Sequence, residues 1–321
     1  MTASFSMVNA KTAAHCLEDC RHNKELVRRA YLLHGEGRTV NPPSAFLRFP
    51  EKPDSRIIAK PAYLGGEFDV AGMKWISSFP SNRKKGLPRA SAVLILNDCQ
   101  TGYPLACLES SIVSAARTAA SAVLAAEALR PAATHCRALG FIGAGVIAKQ
   151  IYRHFIGNGW TVEQILLHDL QIDASTRFAG GLEPKRHASV KVCDSAAELM
   201  ARSEIVVLAT DAREPHLFDP ILLKHAPLIL HISLRDLSNA IILAAANFTD
   251  DIDHAVSENT SLHLAEKEVG HRQFIKGTLY DLLTDRVAPD PGRPVIFSPF
   301  GLGILDLALG KHVYDHALAM G

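Results

Sequence analysis

Apolar and polar positions alternate over short distances in the first third of the chain. Between residues 44 and 109 the apolar runs have the length of strands, and turn residues separate them. We predict strands at residues 45–49, 56–63, 71–79, 90–96 and 103–108. Consecutive short strands favour an antiparallel, barrel-like or open sheet. Helices are predicted on either side, over residues 10–34 and 110–129, the second with Ser110 or Ser111 as its N-cap.

From about residue 137 the pattern changes, because strand-length apolar runs now alternate with helical or irregular segments. We predict strands at residues 137–142, 164–168, 189–192, 205–209 and 228–232. Predicted helices cover residues 146–155, 258–268, 278–283 and 305–318, and residues 297–303 are expected to form a loop containing Gly and Pro. Strands that alternate with helices are typical of a parallel, doubly wound sheet.

The predicted fold class is therefore α/β, with two domains. Residues 129–296 are expected to form a Rossmann-type doubly wound parallel sheet that binds a dinucleotide. Residues 1–128 together with residues 297–321 are expected to form a mixed α+β domain for substrate binding and dimerisation. The length of 321 residues fits this division, because domains usually hold about 100–200 residues. Short apolar strands with exposed edges favour a homodimer.

Composition and charge exclude several classes of protein. Hydrophobic residues make up 48% of the chain and charged residues 21%, which is ordinary for a globular protein. The net charge is +1, which argues against nucleic acid or a membrane surface as a partner. The sequence has no apolar run of the roughly 18 residues that span a membrane, no signal peptide pattern and no Cys-x-x-Cys pair among its six cysteines. We therefore expect a cytoplasmic protein with reduced thiols.

A glycine motif follows the first strand of the second part and opens a helix. It reads Gly143-Ala144-Gly145-Val146-Ile147-Ala148, a G-x-G-x-x-A pattern. In this context the first Gly permits a sharp turn, the second lets the backbone approach a pyrophosphate, and the helix N-terminus attracts the anion. We expect the first five residues of the motif to contact a dinucleotide.

An acidic residue follows the second strand of the same part. Asp169 lies 26 residues beyond Gly143, where a carboxylate can accept hydrogen bonds from ribose hydroxyls and repel a 2′-phosphate. The sequence therefore favours NAD over NADP. Thr210 and Ser233 end the fourth and fifth strands, where a doubly wound sheet faces its cofactor, and we include them among the cofactor-binding candidates.

Three cations in the first part lie in apolar surroundings. Arg48 and Lys74 occur within predicted strands, and Arg117 interrupts an Ala-rich helix. A charge in such surroundings is costly unless it meets an anion, so these residues favour a pocket for carboxylates. Asp236, just beyond the fifth strand of the second part, is a candidate for proton transfer to an amine or a water. Each of these side chains could equally be part of a local ion pair or a cap.

No metal site is predicted. His312 and His316 have helical i, i+4 spacing but no third ligand nearby. The acidic run Asp250-Asp251-x-Asp253 lacks the glycine and the distal glutamate of a calcium loop. Asp306, within an apolar helix, is expected either to pair within that helix or to touch the nicotinamide loop.

Together these residues resemble the ornithine cyclodeaminase/μ-crystallin family of NAD(P)-dependent enzymes over nearly the whole chain. The resemblance rests on the glycine turn, Asp236, and the motifs Arg117-Thr118-Ala119-Ala120, Asn97-Asp98…Thr101-Gly102-Tyr103-Pro104 and Phe297…Gly301…Asp306. It implies that Arg48, Lys74 and Arg117 hold a substrate α-carboxylate. It also implies that Lys74 and Asp236 are catalytic, and that Arg117 and Thr118 touch the cofactor.

Within this family, the runs Lys74-Trp75-Ile76-Ser77-Ser78-Phe79-Pro80 and Phe297-Ser298-Pro299-Phe300-Gly301-Leu302-Gly303 are similar to a branch that serves siderophore or antibiotic biosynthesis. That branch oxidises an amino-acid conjugate, N-(2-amino-2-carboxyethyl)-L-glutamate, with NAD to L-2,3-diaminopropionate, 2-oxoglutarate and NADH. The resemblance implies that Arg89 supplies an extra cation for this substrate, which carries three carboxylates. Two alternatives stay open: a cyclodeaminase or ketimine/imino-acid reductase of the same family, and a non-catalytic, crystallin-like binding or sensing protein.

Overall fold

The computed structural model describes residues 5–131, 134–183, 185–290 and 292–320, and the chain divides into two compact units. The first unit comprises Met1–Ala120 and Gly301–Gly321, and the second comprises Ser121–Phe300. The predicted boundaries, at residues 128/129 and 296/297, differ from these by eight and four residues (128 − 120 and 300 − 296). The difference at the first boundary arises because the division falls inside a continuous helix.

A mixed sheet forms the centre of the first unit. Within the described residues its strands are β1 (Ser6–Val8), β2 (Thr39–Val40), β3 (Ala45–Phe49), β4 (Lys52–Leu64), β5 (Val70–Ser78), β6 (Ala90–Asp98) and β7 (Pro104–Glu109). The strand order is β1-β7-β6-β5-β4-β2, and β3 also pairs with β4. β1 runs parallel to β7, whereas β2 to β7 pair in antiparallel fashion. The strands predicted between residues 45 and 108 are all present, and β1 and β2 were not predicted.

Three helices in the described part of this unit pack against the sheet: α1 (Ala10–Cys16), α2 (Cys20–Gly35) and the C-terminal α11 (Gly303–Met320). The same unit contains a short 3₁₀ helix (Pro80–Lys85) and the start of α3 (Ser111–Leu129). α11 approaches the sheet closely, because a Cβ on Gly72 would meet Leu307 and a Cβ on Gly310 would meet Leu94. Glycine at positions 72 and 310 therefore allows α11 to pack directly on the sheet.

Two helix starts differ from their predictions. The single helix expected over residues 10–34 is two helices, since the Asp19 carboxylate accepts the N–H groups of Arg21 and His22 and caps a new start. At the start of α3 the capping acceptor is Glu109, which receives the N–H of Ser111 at 2.9 Å. Neither serine side chain supplies that cap, and the Ser110 hydroxyl has no hydrogen-bond partner in the described part of the chain.

The second unit is a doubly wound sheet of parallel strands, which confirms the predicted fold class. Its strands are β8 (His135–Ile142), β9 (Thr161–His168), β10 (Ser189–Val192), β11 (Ile205–Leu208), β12 (Leu228–His231), β13 (Ala246–Thr249), β14 (Ile275–Thr278) and β15 (Val295–Phe297). Among the described residues the order is β10-β9-β8-β11-β12-β15-β13-β14, with every pairing parallel. The order reverses between β8 and β11, which is where such sheets bind their ligands.

The connections of the second unit are short helices. They are α4 (Val146–Gly157), α5 (Ile172–Gly180), α6 (Ala196–Arg202), a 3₁₀ helix (Pro220–Leu223), α7 (Asn239–Ala244), α8 (Ile252–Ala255), α9 (Ser261–Val269) and α10 (Leu279–Leu283). Strands β14 and β15 were not predicted, and residues 295–297, which form β15, overlap the start of the expected loop. β15 has only three residues, and β14 contains Lys276 and Gly277, so neither strand forms an apolar run that can be recognised in the sequence.

Within the described residues, one helix passes the length and composition test for a membrane span. It is α3, with 19 residues, and 72% of its apolar window is buried inside the protein. Burial of this extent is also found in the core helix of a folded domain.

Candidate active site

The glycine turn of the second unit has the geometry of a ligand-binding turn. Gly143 adopts φ +92°, and a Cβ there would collide with the backbone carbonyl of Ala209 beyond β11, so this position requires glycine. A Cβ on Gly145 would meet nothing within 4 Å. Gly145 is the N-cap of α4 and contributes no side chain, so the first turn of that helix is open to an anion.

Asp169 lies directly beside this turn. Its Oδ2 accepts the N–H of Ala144 at 2.8 Å, and its Oδ1 accepts the N–H of Gln171 at 2.9 Å. The carboxylate therefore stands at the carboxyl end of β9, next to the open edge of the turn. The open space at Gly145 fits the pyrophosphate of NAD, and the Asp169 carboxylate beside the turn fits its ribose.

Asp236 is the centre of a buried hydrogen-bond network in the second unit. Its carboxylate accepts hydrogen bonds from the hydroxyls of Thr210 and Ser233, both at 2.5 Å. The Nε2 atoms of His216 and His231 lie 3.0 Å and 3.2 Å from the same carboxylate. Asp236 itself is fully buried. Of the four side chains that contact its carboxylate, His216 is the most exposed, with 39% of its side chain accessible. His231 extends the network, because its Nδ1 lies 3.1 Å from the Ser298 hydroxyl.

This network changes the roles expected for three residues. Burial raises the pKa of Asp236, but the hydrogen bonds from His216, His231 and Ser233 outweigh it and hold the pKa far below its usual range. A carboxylate with such a low pKa and no exposure is a weak proton acceptor, so the geometry points to a positioning role. Thr210 and Ser233, expected to bind the cofactor, direct their hydroxyls to Asp236.

In the first unit, Lys74 and Asp306 form a fully buried ion pair. Lys74 Nζ donates to Asp306 Oδ2 at 2.6 Å and to the hydroxyl of Ser114 at 3.1 Å. Arg117 approaches the other carboxylate oxygen, with its Nε 3.3 Å from Asp306 Oδ1. Gly301, at φ +86°, lies against this guanidinium, and a Cβ there would come within 2.8 Å of Arg117 Nη1. The sequence motifs around Lys74, Arg117 and Asp306 thus meet at one place, which we call the Lys74 cluster.

A third cation lies beside the Lys74 cluster. Lys60 lies directly opposite Lys74 across β4 and β5, and its Nζ donates to the carbonyl of Gly301 at 2.9 Å. Burial lowers the pKa of Lys74 to about 7, against the opposing effect of Asp306, and the charges of Arg117 and Lys60 lower it further. Burial raises the pKa of Asp306, but the neighbouring cations prevail and its pKa is lowered. Lys74 and Arg117 thus share one carboxylate, and Lys60 lies close enough to influence the pKa of both Lys74 and Asp306.

The remaining predicted substrate and cofactor residues of the first unit lie elsewhere. Arg48 is exposed on β3, where its guanidinium stacks 5.0 Å from the Phe46 ring centroid. Arg89 precedes β6, and its Nη1 donates to the Ser78 hydroxyl at 2.7 Å. Neither contact involves the Lys74 cluster. Thr118 donates its hydroxyl to the Ser114 carbonyl at 2.7 Å within its own helix.

Sequence reasoning missed several members of both networks. Asp306 was considered but not selected, although a lone acid in an apolar helix carries the same signal as Lys74 or Arg117: a buried charge needs a partner. Ser114, His216 and His231 gave no such signal, because hydroxyls and imidazoles occur in many neutral contexts.

The remaining candidates have local partners. In the described part of the chain, no group of three His, Cys, Asp or Glu side chains could hold a metal ion. His312 Nε2 lies 3.1 Å from the Cys16 carbonyl, Asp250 accepts the N–H of Phe300, and Asp253 pairs with Arg272. All six cysteines are free thiols.

Comparison with known proteins identifies the family. A family model of the ornithine cyclodeaminase/mu-crystallin family matches residues 6–321. The N-((2S)-2-amino-2-carboxyethyl)-L-glutamate dehydrogenase of Staphylococcus aureus is 29% identical over 307 residues, covering 91% of this chain and 89% of the relative. Alanine dehydrogenase of Archaeoglobus fulgidus is 29% identical over 304 residues, with the same coverage of 91% and 89%.

A solved structure agrees with this result. Thermococcus litoralis Delta(1)-pyrroline-2-carboxylate reductase, in complex with NADH and L-proline, is similar with a TM-score of 0.89 and 26% identity, covering 98% of each chain. The resemblance drawn from the sequence motifs is confirmed: this chain belongs to the ornithine cyclodeaminase/mu-crystallin family.

Proposed function

We propose that this chain is an NAD-dependent oxidoreductase that acts on the CH–NH bond of N-(2-amino-2-carboxyethyl)-L-glutamate. The products would be L-2,3-diaminopropionate, 2-oxoglutarate and NADH. The observation that carries the proposal is the Lys74 cluster, in which the cations Lys74 and Arg117 share the single carboxylate of Asp306. Such a cluster is suited to a substrate rich in carboxylates. The similarity to the Staphylococcus aureus dehydrogenase supports the same substrate.

NAD would be held by the second unit. The residues Gly143, Ala144, Gly145, Val146 and Ile147 would hold its pyrophosphate at the open turn, and Asp169 would bind a ribose. When bound, NAD accepts the hydrogen of the glutamyl α-carbon as a hydride. The fit rests on the space beside Gly145 and on the carboxylate beside Ala144.

The Lys74 cluster would position the substrate and exchange a proton. Lys74 and Arg117 hold the glutamyl α-carboxylate, which fixes the carbon that is oxidised. Loss of the hydride converts the secondary amine to a protonated ketimine, and water adds to its carbon with release of one proton. The C–N bond then breaks as a proton moves from the new hydroxyl to the nitrogen, which gives 2-oxoglutarate and diaminopropionate. A Lys74 pKa of about 7 lets this amine give or take a proton near neutral pH.

Asp236 would act through its neighbours. Since its carboxylate is enclosed by Thr210, Ser233 and His231, it fixes the ends of β11 and β12 and orients the exposed ring of His216. His216 is therefore the most exposed member of this network and the one that can contact solvent or ligand. We retain Asp236 as essential to the site, as a positioning residue.

A homodimer is part of the proposal. The face of the first unit's sheet opposite α11 exposes large apolar side chains: Met7 (74%), Leu47 (46%), Trp75 (38%) and Val93 (38%). Cross-strand pairing puts Trp75 opposite Val93 on this face. An apolar sheet face of this kind is suited to a second copy of the same surface. Trp75→Glu should give a monomer in sedimentation equilibrium, whereas Lys11→Glu on α1 should not, and a wild-type monomer would contradict this assembly.

A second candidate function is an imino-acid reductase. It is favoured by the similarity to the Thermococcus litoralis reductase over 98% of the chain. A carboxylate site at Lys74 and Arg117 serves a cyclic imino acid equally well, so substrate range decides between the two. A cyclodeaminase is less favoured, because Leu237-Ser238-Asn239 follows Asp236 where the family resemblance implies a Pro-Gly-Lys-like turn.

A substrate panel tests the proposal. Purified protein with NAD is given the conjugate, ornithine, proline or alanine in turn, and NADH, 2-oxoglutarate and diaminopropionate are measured. The proposal expects NADH and both products in equal amounts from the conjugate alone. Proline with ammonia from ornithine would show a cyclodeaminase. Oxidation of proline with no reaction of the conjugate would show the reductase, and inactivity with every substrate would favour a binding protein.

A further inference from the structure

A row of arginines crosses the first unit's sheet apart from the Lys74 cluster. Arg48 on β3 is the cross-strand partner of Arg56 on β4, and Arg56 is the partner of Ser78 on β5. Arg89, just before β6, donates to the Ser78 hydroxyl at 2.7 Å. Because cross-strand partners project from the same face of a sheet, this row brings three guanidinium groups to one face.

The arginine row shares its face with the Lys74 cluster. Side chains alternate along a strand, so Arg56 and Lys60, four residues apart on β4, point to the same side. Lys60 is the cross-strand partner of Lys74, and Lys74 donates a hydrogen bond to Asp306 on α11. This is therefore the face that α11 partly covers. At a rise of about 3.3 Å per residue, the two cationic rows are separated by about 13 Å along the strands.

An apolar pair separates the two cationic rows. Ile58 and Ile76 are cross-strand partners on the same face, and both are half-buried. Along each strand they lie two residues from one cationic row and two residues from the other. Along the strands, this face therefore presents cationic side chains, then apolar side chains, then cationic side chains again. A dicarboxylic amino acid has the same sequence of groups, since methylenes separate its α-carboxylate from its outer carboxylate.

We propose that Arg56, together with Arg48 and Arg89, binds the γ-carboxylate of the glutamyl substrate whose α-carboxylate is held at Lys74 and Arg117. This inference rests on the proposed function and names the feature that selects a dicarboxylic substrate. The two glutamyl methylenes would pass over Ile58 and Ile76, and the long side chains of both rows shorten the distance between them. Arginine suits the task because its guanidinium binds a carboxylate with two parallel hydrogen bonds.

The test pairs a variant with a substrate analogue. Arg56→Gln should raise KM for the conjugate about tenfold to a hundredfold, the loss expected for a hydrogen bond between charged groups, with a smaller change in kcat. With an analogue in which the γ-carboxylate is an amide, wild type and Arg56→Gln should have equal KM. An analogue that lacks only the diaminopropionyl carboxylate should retain the full difference. Arg28→Gln on α2, whose guanidinium pairs with Glu25, is the matched control and should behave as wild type.

A binding measurement separates failure of this inference from failure of the proposed function. Glutarate and butyrate are titrated into wild type and Arg56→Gln by calorimetry, with no turnover required. The subsite is supported if Arg56→Gln weakens glutarate about tenfold or more and leaves butyrate unchanged, even if the wild type fails to oxidise the conjugate. It is overturned if both ligands bind the two proteins equally, or if Arg56→Gln raises KM by the same factor for the conjugate and its amide.

Discussion

Lys74 Nζ lies 2.6 Å from Asp306 Oδ2, and neither side chain is more than 2% exposed. The two residues are far apart in the sequence, and the ion pair joins β5 to α11. Arg117 shares the same carboxylate from a third element, so one acid organises two cations of the candidate substrate site. A buried pair of this kind is costly to break, because removal of one partner leaves the other charged group without compensation.

The first prediction concerns the acid of this pair. Asp306→Asn keeps the shape but removes the negative charge, so Lys74 and Arg117 lose their shared partner. We expect the free energy of unfolding of the first unit to fall by about 3–5 kcal/mol, as for other broken buried pairs. Urea unfolding followed by circular dichroism measures this change.

A double variant provides the control for this prediction. Lys74→Met with Asp306→Asn removes the charges of both residues and should cost less stability than the sum of the two single variants, Lys74→Met and Asp306→Asn. If the double variant is as unstable as the sum of the single variants, the ion pair does not couple the two residues as described.

The second prediction is a pH dependence due to Lys74. Its pKa in the folded protein, about 7, lies below the ordinary 10.5, so the unfolded chain binds more protons between these pH values. Lys74 therefore makes the free energy of unfolding rise with pH across this window. The free energy of unfolding of the wild type minus that of Lys74→Met, measured from pH 6.5 to 9.5, should therefore increase with pH.

Lys11→Met on α1 tests whether this effect is specific. Lys11 is exposed, so its removal should leave the pH dependence of the wild type unchanged. Parallel curves for wild type and Lys74→Met would mean that the Lys74 amine keeps its ordinary pKa in the folded protein.

The third prediction distinguishes the two glycines of the turn. Gly145→Val fills open space at an ordinary φ of −79°, so the fold should persist while NADH affinity falls at least tenfold. Gly143→Ala meets the Ala209 carbonyl at positive φ, so it should lower the unfolding midpoint itself. Fluorescence titration with NADH and thermal unfolding measure the two effects.

Gly180→Ala, at the end of α5 with open space around its Cβ, is the matched control. It should leave NADH affinity unchanged and should not lower the unfolding midpoint, because alanine is favoured over glycine in a helix. Unaltered NADH binding by Gly145→Val would place the pyrophosphate away from this turn.

The fourth prediction concerns Asp236. Asp236→Asn turns one acceptor into a donor that faces the hydroxyl and imidazole groups around it, and should cost about 1–3 kcal/mol of stability at neutral pH. The pKa of Asp236 is lowered by its hydrogen-bond partners, so its contribution is present above the ordinary value of 3.8 and is lost as pH falls below it. The stability difference from wild type should therefore shrink in acid.

His216→Gln provides the comparison, because it changes only the exposed member of the network. It should leave stability close to that of the wild type, because the amide of the new glutamine can still donate to the Asp236 carboxylate. A stability gap for Asp236→Asn that is constant from pH 7 to pH 3 would contradict the network described here.

The fold class and most strands could be predicted from the sequence, because the alternation of apolar and polar residues and the glycines in turns are local signals. The sequence also singled out Lys74 and Arg117, since charges in apolar runs stand out. It could not place Arg48 and Arg56 in one row, because a cross-strand register depends on pairing between distant segments. The single helix expected before residue 35 failed for a local reason, as the side chain of Asp19 supplies a cap that the apolar pattern does not show.

Isotope transfer shows which carbon of the conjugate gives its hydrogen to the cofactor. The conjugate is prepared with deuterium at the glutamyl α-carbon or, separately, at the α-carbon of its diaminopropionyl part, and the reduced cofactor is analysed by mass spectrometry. The account predicts deuterium in the reduced cofactor from the first compound only, together with equal amounts of 2-oxoglutarate and diaminopropionate. Deuterium transfer from the second compound, or no reduced cofactor from either, would contradict it.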